Sequence, residues 1–200
     1  MTSSSPHSRS RDIALIAIFA GIVAALGVVP AFVPPGFSVP ITAQSLGVML
    51  AGAVLGARRG ALSLVLFLVL VAAGLPLLAG GRGGLAVFAS ASVGFLLFWP
   101  VAAFVTGWLT ERGGPGYSLH WGIVANFVGG ILVLYVGGIV GVALVSKISV
   151  QAAVVAMWIY IPGDLVKVVV AAFIARGVHA AYPGLLGAGR TAATKDVTTV

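Results

Sequence analysis

Four polar side chains stand out in a chain that carries few. Asp164 and Lys167 lie in YIPGDLVK at positions i and i+3, so on a helix they share one face. Placed this way, they have two possible uses. They can form a private ion pair that lowers the cost of burial. Alternatively, they can read a ligand, the ammonium donating to an anion while the carboxylate accepts from an N–H group. Pro162 suits a first helical turn, and Gly163 lets another group approach closely. Gln44, in PITAQS, offers a primary amide that donates and accepts at once; an interhelical hydrogen bond is its other use. Arg82 stands in GGRGG, where flanking glycines let backbone approach a ligand or simply make a flexible loop. Lys167 is one turn inside an apolar helix, and such a cation is costly unless it faces a polar cavity or a partner. Asn126 suits a bond between helices, and His120 a solvated boundary position.

Several chemistries are excluded. No G-x-x-x-x-G-K-[ST] phosphate loop occurs, nor HExxH, GxSxG or a His/Cys cluster. The absence of cysteine removes disulfides and thiolate metal sites. No nucleophile–base set or metal-ligand set suggests an enzyme. Of the few acidic residues only Asp164 falls inside an apolar segment, which is sparse for a proton-coupled carrier. No inverted repeat is visible.

The elements that position these groups follow from composition. Of 200 residues, 60% are hydrophobic and only 8% charged, with mean hydropathy +1.16. Soluble domains carry about 25% charged residues, so lipid must be part of the solvent. No charge occurs within 13–57, 60–81, 83–110 or 113–146. A span needs about 20 apolar residues, and backbone in hydrocarbon must satisfy itself as helix or closed barrel. Continuous apolar runs without alternation select helices. The expectation is an all-α membrane bundle of six transmembrane helices over 13–29, 42–56, 60–75, 93–109, 120–145 and 162–182.

Between them, 30–41 is a Pro- and Gly-rich loop, Arg58-Arg59 a tight turn, 76–92 a second long loop and 110–118 a polar turn. The connection 147–161 has room for a short helix along the interface. Residues 1–12 form a polar tail rather than part of a cleaved signal, and 183–200 a polar, disordered one.

The net charge of +7 and pI near 10.6 come from basic residues in short loops and tails, so they indicate membrane orientation rather than nucleic-acid binding. With the N-terminus in the cytoplasm, Arg9, Arg11, Arg58, Arg59, Arg112, Arg176, Arg190 and Lys195 all fall inside, and so do both termini. Arg82, Lys147 and Lys167 fall outside. Trp108 and Trp121 then anchor the inner interface and Trp158 the outer one.

Small residues form helical stripes. Ala14, Ala17, Gly21 and Ala24 share a side of the first helix, with Ala20-x-x-x-Ala24 as a close-approach pair suited to a partner protein. Gly52-x-x-x-Gly56 and Gly137-x-x-x-Gly141 suit packing inside the bundle.

Taken together and in order, SVPITAQSLGVMLAGAVLGARRGALSLVLFLVL, GLPLLAGGRGGLAVF and YIPGDLVKVVVAA resemble the BioY family, the biotin-specific S components of energy-coupling factor transporters. The resemblance covers 13–182. It departs after Phe88, where the family reads close to G-P-T-G-G-Y and this chain has Ser90-Ala91-Ser92-Val93-Gly94-Phe95. The resemblance implies a biotin pocket at the outer face of a bacterial plasma membrane, under the loops after the first and third helices. Gln44 and Asp164 would meet the ureido group, and Arg82 and Lys167 the carboxylate. It further implies no enzymatic activity and no cofactor. ATP hydrolysis would belong to two cytoplasmic ATPases, reached through a transmembrane coupling protein that contacts Ala20 and Ala24. The alternatives are an S component for riboflavin or thiamine, or a membrane assembly protein without a ligand.

Overall fold

The computed structural model describes residues 6–114 and 116–186. Helices occupy all six expected places. They are α1 (Pro6–Leu26), α2 (Gln44–Leu55), α3 (Ala57–Ala72), α4 (Val93–Arg112), α5 (Leu119–Ser146) and α7 (Ile161–Ala181), and the short α6 (Val150–Met157) lies in the connection before α7. Among the described residues the chain is all-α; the isolated bridges Phe32–Ile41 and Leu78–Arg82 only tie loops.

By length and composition, α4 and α5 can each cross a membrane, and α6 with α7, bent by 56°, would make a third span. The other elements are less clear-cut. The 12-residue α2 is only about 18 Å long at 1.5 Å rise per residue, short of a ~30 Å hydrocarbon core.

The boundaries differ from expectation where local chemistry intervenes. α1 starts at Pro6 and so runs through Arg9, Arg11 and Asp12. Arg58-Arg59 is not the turn: both sit in the first turn of α3, and Gly56 turns the chain with φ 82° and ψ −179°. A Cβ there would meet Glu111 Oε1 at 2.2 Å, the oxygen that accepts from Ala57 N at 2.8 Å. The expected helix 120–145 contains a π-helical stretch, Val128–Val133. Here Gly129 lies against Thr106 and the Ala102 carbonyl, and Gly130 against Met49. Asn126 is not a bond between helices; its Nδ2 donates to Gly122 O at 2.8 Å in its own helix. Of the expected disordered tail, 187–200 lies outside the described residues.

Backbone contacts at small residues hold the bundle together. A Cβ on Gly52 would meet Ala103 O at 2.4 Å, and one on Gly94 would meet Gly137 O at 1.9 Å. The Gly52 and Gly137–Gly141 stripes therefore pack inside the chain. Buried Leu64, Phe67, Leu96 and Trp99 fill the space between α3 and α4. Met49, Ile131, Tyr135, Met157 and Val168 fill that between α2, α5, α6 and α7.

Helix direction then places the polar groups. The ends of α1 and α3 and the starts of α2, α4 and α7 meet at one end of the bundle. Arg9, Arg11, Arg58, Arg59 and Arg112 occupy the opposite ends of these same helices.

Candidate ligand-binding site

A cleft enclosing about 560 Å³, part of it open, lies at that first end. Gln44, Arg82, Asp164 and Lys167 all line it, so four residues far apart in sequence share one cavity. Its remaining walls are mostly apolar and aromatic: Val39, Leu78, Phe95, Trp99, Leu134 and Tyr160.

The charged core of the site grows from the first turn of α7. Lys167 Nζ donates to Asp164 Oδ1 at 2.8 Å and to Ser45 Oγ at 2.9 Å. Asp164 Oδ2 accepts from the Tyr135 hydroxyl at 2.8 Å, and Ser45 Oγ approaches Oδ1 at 3.4 Å. The side chains are 9% and 16% exposed for Asp164 and Lys167. A buried carboxylate survives only with such company. The ammonium keeps one of its three donors, and the carboxylate keeps lone pairs, for a molecule entering the cleft. Ser45 and Tyr135 were missed in the sequence. The one signal was that a tyrosine buried in a helix must place its hydroxyl on a partner.

Gln44 lines the cleft and is also held by backbone groups. It is 1% exposed, and its Nε2 donates to Val23 O at 3.1 Å and to Leu77 O at 3.0 Å. Its Oε1 accepts from Ala79 N at 2.9 Å. Both donor hydrogens are engaged, which leaves at most one acceptor lone pair for a ligand. The amide fastens the end of α1 and the loop after α3 to the start of α2, and so positions that loop.

The loop itself is an ordered turn. Leu78 and Arg82 exchange backbone bonds of 3.0 and 3.2 Å. Gly80, Gly81 and Gly84 have φ between 70° and 79°, which glycine adopts without strain. The turn presents Arg82 to the cleft. Arg82 Nε donates to Ala79 O at 3.2 Å, which holds the guanidinium at the cleft.

Aromatic side chains close the cleft from the side of the 30–41 loop. Tyr160 donates to Val39 O at 2.7 Å, and Phe37 meets its ring edge-on at 6.3 Å between centroids. Phe95 bridges Tyr135 and Tyr160, at 6.4 Å from each.

The small-residue pair on α1 divides. Ala20 is 3% exposed and packs in the chain's own core beside Val23, whereas Ala24 is only partly buried. Ala14, Ala17 and Gly21 face outward, and Gly21 has no atom near its Cβ position.

Comparisons with known proteins agree with this construction. The model of the BioY family matches residues 1–184. A biotin transporter BioY of Rhizobium etli is 49% identical over 180 residues, covering 87% of this chain and 96% of the relative. One from Rhodobacter capsulatus is 51% identical over 186 residues, covering 88% and 97%. The crystal structure of the S component for biotin from an ECF-type ABC transporter superposes with a TM-score of 0.82 at 26% identity, covering 89% of this chain and 95% of that one. The chain belongs to the BioY family.

Proposed function

We propose that this protein is the biotin-binding S component of an energy-coupling factor transporter, taking up biotin at the outer face of a bacterial plasma membrane. The observation that carries the reading is the Asp164–Lys167 pair lining, with Arg82, a cleft walled by apolar and aromatic side chains. Biotin has matching parts: a ureido ring with N–H donors and a carbonyl, an apolar bicycle and a terminal carboxylate. Asp164 accepts from a ureido N–H, and the remaining Lys167 donor serves the ureido oxygen or the carboxylate. Arg82 neutralises the carboxylate, and the aromatic walls hold the bicycle. Gln44 positions the Arg82 loop and offers one acceptor.

Positive residues accumulate on the cytoplasmic side of membrane proteins. Arg9, Arg11, Arg58, Arg59 and Arg112 at the other end of the bundle therefore orient the cleft outward. In this reading α1, α2, α3, α4, α5 and α7 supply six spans, the short α2 among them, with both termini inside. ATP hydrolysis belongs to two partner ATPases. The transmembrane coupling protein docks on the small face of α1 carried by Ala14, Ala17, Gly21 and Ala24, with Ala20 supporting that face from within.

Titration of the purified chain in nanodiscs by calorimetry tests the ligand. Biotin is expected to bind below micromolar concentration, and riboflavin and thiamine not at all. The reverse pattern, or no biotin binding, overturns the reading. One observation favours a rival: the 2.8 Å contact between Asp164 and Lys167 would by itself satisfy a ligand-free membrane protein. The D164N/K167M variant described below separates the two.

A further inference from the structure

Ser92 lines the cleft, is 6% exposed and has no hydrogen-bond partner for its Oγ among the described residues. It occupies the N-cap of α4, a 20-residue helix, yet does not cap it. A capping serine usually has extended backbone, which lets its oxygen turn back to the N–H of the second or third helical residue. Ser92 instead has φ −78° and ψ −8°, so its hydroxyl stays apart from its own helix while its carbonyl accepts from Leu96 N at 3.1 Å. Neighbouring Ser90 shows the contrast, with its hydroxyl donating to Val87 O at 2.7 Å. A buried hydroxyl is normally satisfied, and this one belongs to a residue that lines the cleft.

The end of α4 that Ser92 marks has its own electrostatic character. The first N–H groups of a helix lack intrahelical partners, and the helix dipole makes that end favourable to an anion. Gly94 fixes where this terminus sits. Its Cα lies so close to Gly137 and Gly141 that a Cβ would meet the Gly137 carbonyl at 1.9 Å. Arg82 lines the same cleft, its Nε held by Ala79 O at 3.2 Å. Asp164 and Lys167, which line the same cleft from α7, already compensate each other's charge. The cleft therefore holds a self-neutralised pair, suited to a polar uncharged group, together with a cation and a helix start that favour an anion.

We propose that Ser92 and the N-terminus of α4 are the seat of the ligand's carboxylate, with the Ser92 hydroxyl donating to one oxygen and Arg82 pairing with the other. The assignment rests on the biotin reading and deepens it: Asp164 and Lys167 then take the ureido ring, and Lys167 is released from the carboxylate.

The test compares biotin with biotinamide, which lacks the anionic oxygen, on the full chain in nanodiscs. Ser92→Ala is expected to weaken biotin about tenfold, the usual effect of losing one hydrogen bond to a charged group, and to weaken biotinamide less, because its neutral carbonyl oxygen accepts a weaker bond. Ser92→Thr, which keeps the hydroxyl, should retain biotin affinity within about threefold. An equal loss for both ligands in Ser92→Ala, or no loss for either, overturns the carboxylate seat. If Ser92→Ala does not fold, Ser92→Cys, a near-isostere with a weak donor, supplies the same ratio. Wild-type protein that binds neither ligand would refute the biotin reading itself, an outcome distinguishable from failure of the Ser92 assignment.

Discussion

Replacing Asp164 and Lys167 separately and together distinguishes a ligand-reading pair from a purely structural one. At 2.8 Å and an effective dielectric constant near 20, two unit charges attract by about 6 kcal/mol. Most of that is offset by the desolvation already incurred in burying them. Lys167→Met keeps the aliphatic stem but leaves the Asp164 carboxylate with Tyr135 at 2.8 Å and the longer Ser45 contact at 3.4 Å. Removing one member of a buried pair costs about 3–5 kcal/mol. Because the Lys167 side chain keeps 16% exposure, the lower end applies, about 3 kcal/mol.

Asp164→Asn leaves the ammonium with Ser45 and a neutral amide oxygen, and falls in the same range. The double variant D164N/K167M strands no charge, so its stability should return to within about 1 kcal/mol of wild type, which with about 3 kcal/mol lost in each single variant is a coupling of about 5 kcal/mol. Binding is expected to follow a different course. Losing two hydrogen bonds to charged groups removes about 3–5 kcal/mol, which is a hundredfold or more in affinity. Thermal unfolding in micelles with and without biotin reads both quantities, since a ligand at a hundred times Kd stabilises by about 2.7 kcal/mol. The double variant should fold well and show no biotin-induced shift. A double variant that folds and is stabilised by biotin as fully as wild type would refute the ligand role and leave a private ion pair.

Other outcomes follow from single contacts. Tyr160→Phe loses the bond to Val39 O at 2.7 Å that ties the 30–41 loop over the cleft. Biotin dissociation followed by stopped flow should accelerate about tenfold for a net loss near 1.4 kcal/mol; an unchanged rate counts against the loop as a cover. Gly94→Ala places a methyl 1.9 Å from Gly137 O, so α4 and α5 must separate. A loss of about 1–3 kcal/mol is expected from overpacking, measured as a lower melting temperature, and a neutral result would show that the contact relaxes freely. Ala24→Trp should abolish co-purification of the coupling protein with biotin affinity intact, whereas Ala20→Trp should damage the fold itself. Full co-purification with Ala24→Trp would place the coupling face elsewhere.

The membrane class and the helical places followed from composition and charge-free runs, because lipid leaves a chain of this hydropathy few ways to satisfy its backbone. Two site features were equally legible. Asp164 and Lys167 share a face by helical spacing alone, and the glycines around Arg82 permit the positive-φ turn that carries it. The tertiary structure decided the rest. Gln44 could be read as a polar anchor, yet only packing brought Val23 O and Leu77 O, 21 and 33 residues away, within reach of its amide. Tyr135 and Ser45 became partners of the charged pair because α2, α5 and α7 converge. Ala20 turned inward while Gly21 turned out, a rotation that no stripe of small residues reveals by itself. Periodicity is a property of one helix, and it names the faces. Which faces meet depends on where two backbones can touch, as Gly94 does with Gly137, and that complementarity belongs to pairs of helices rather than to either sequence segment.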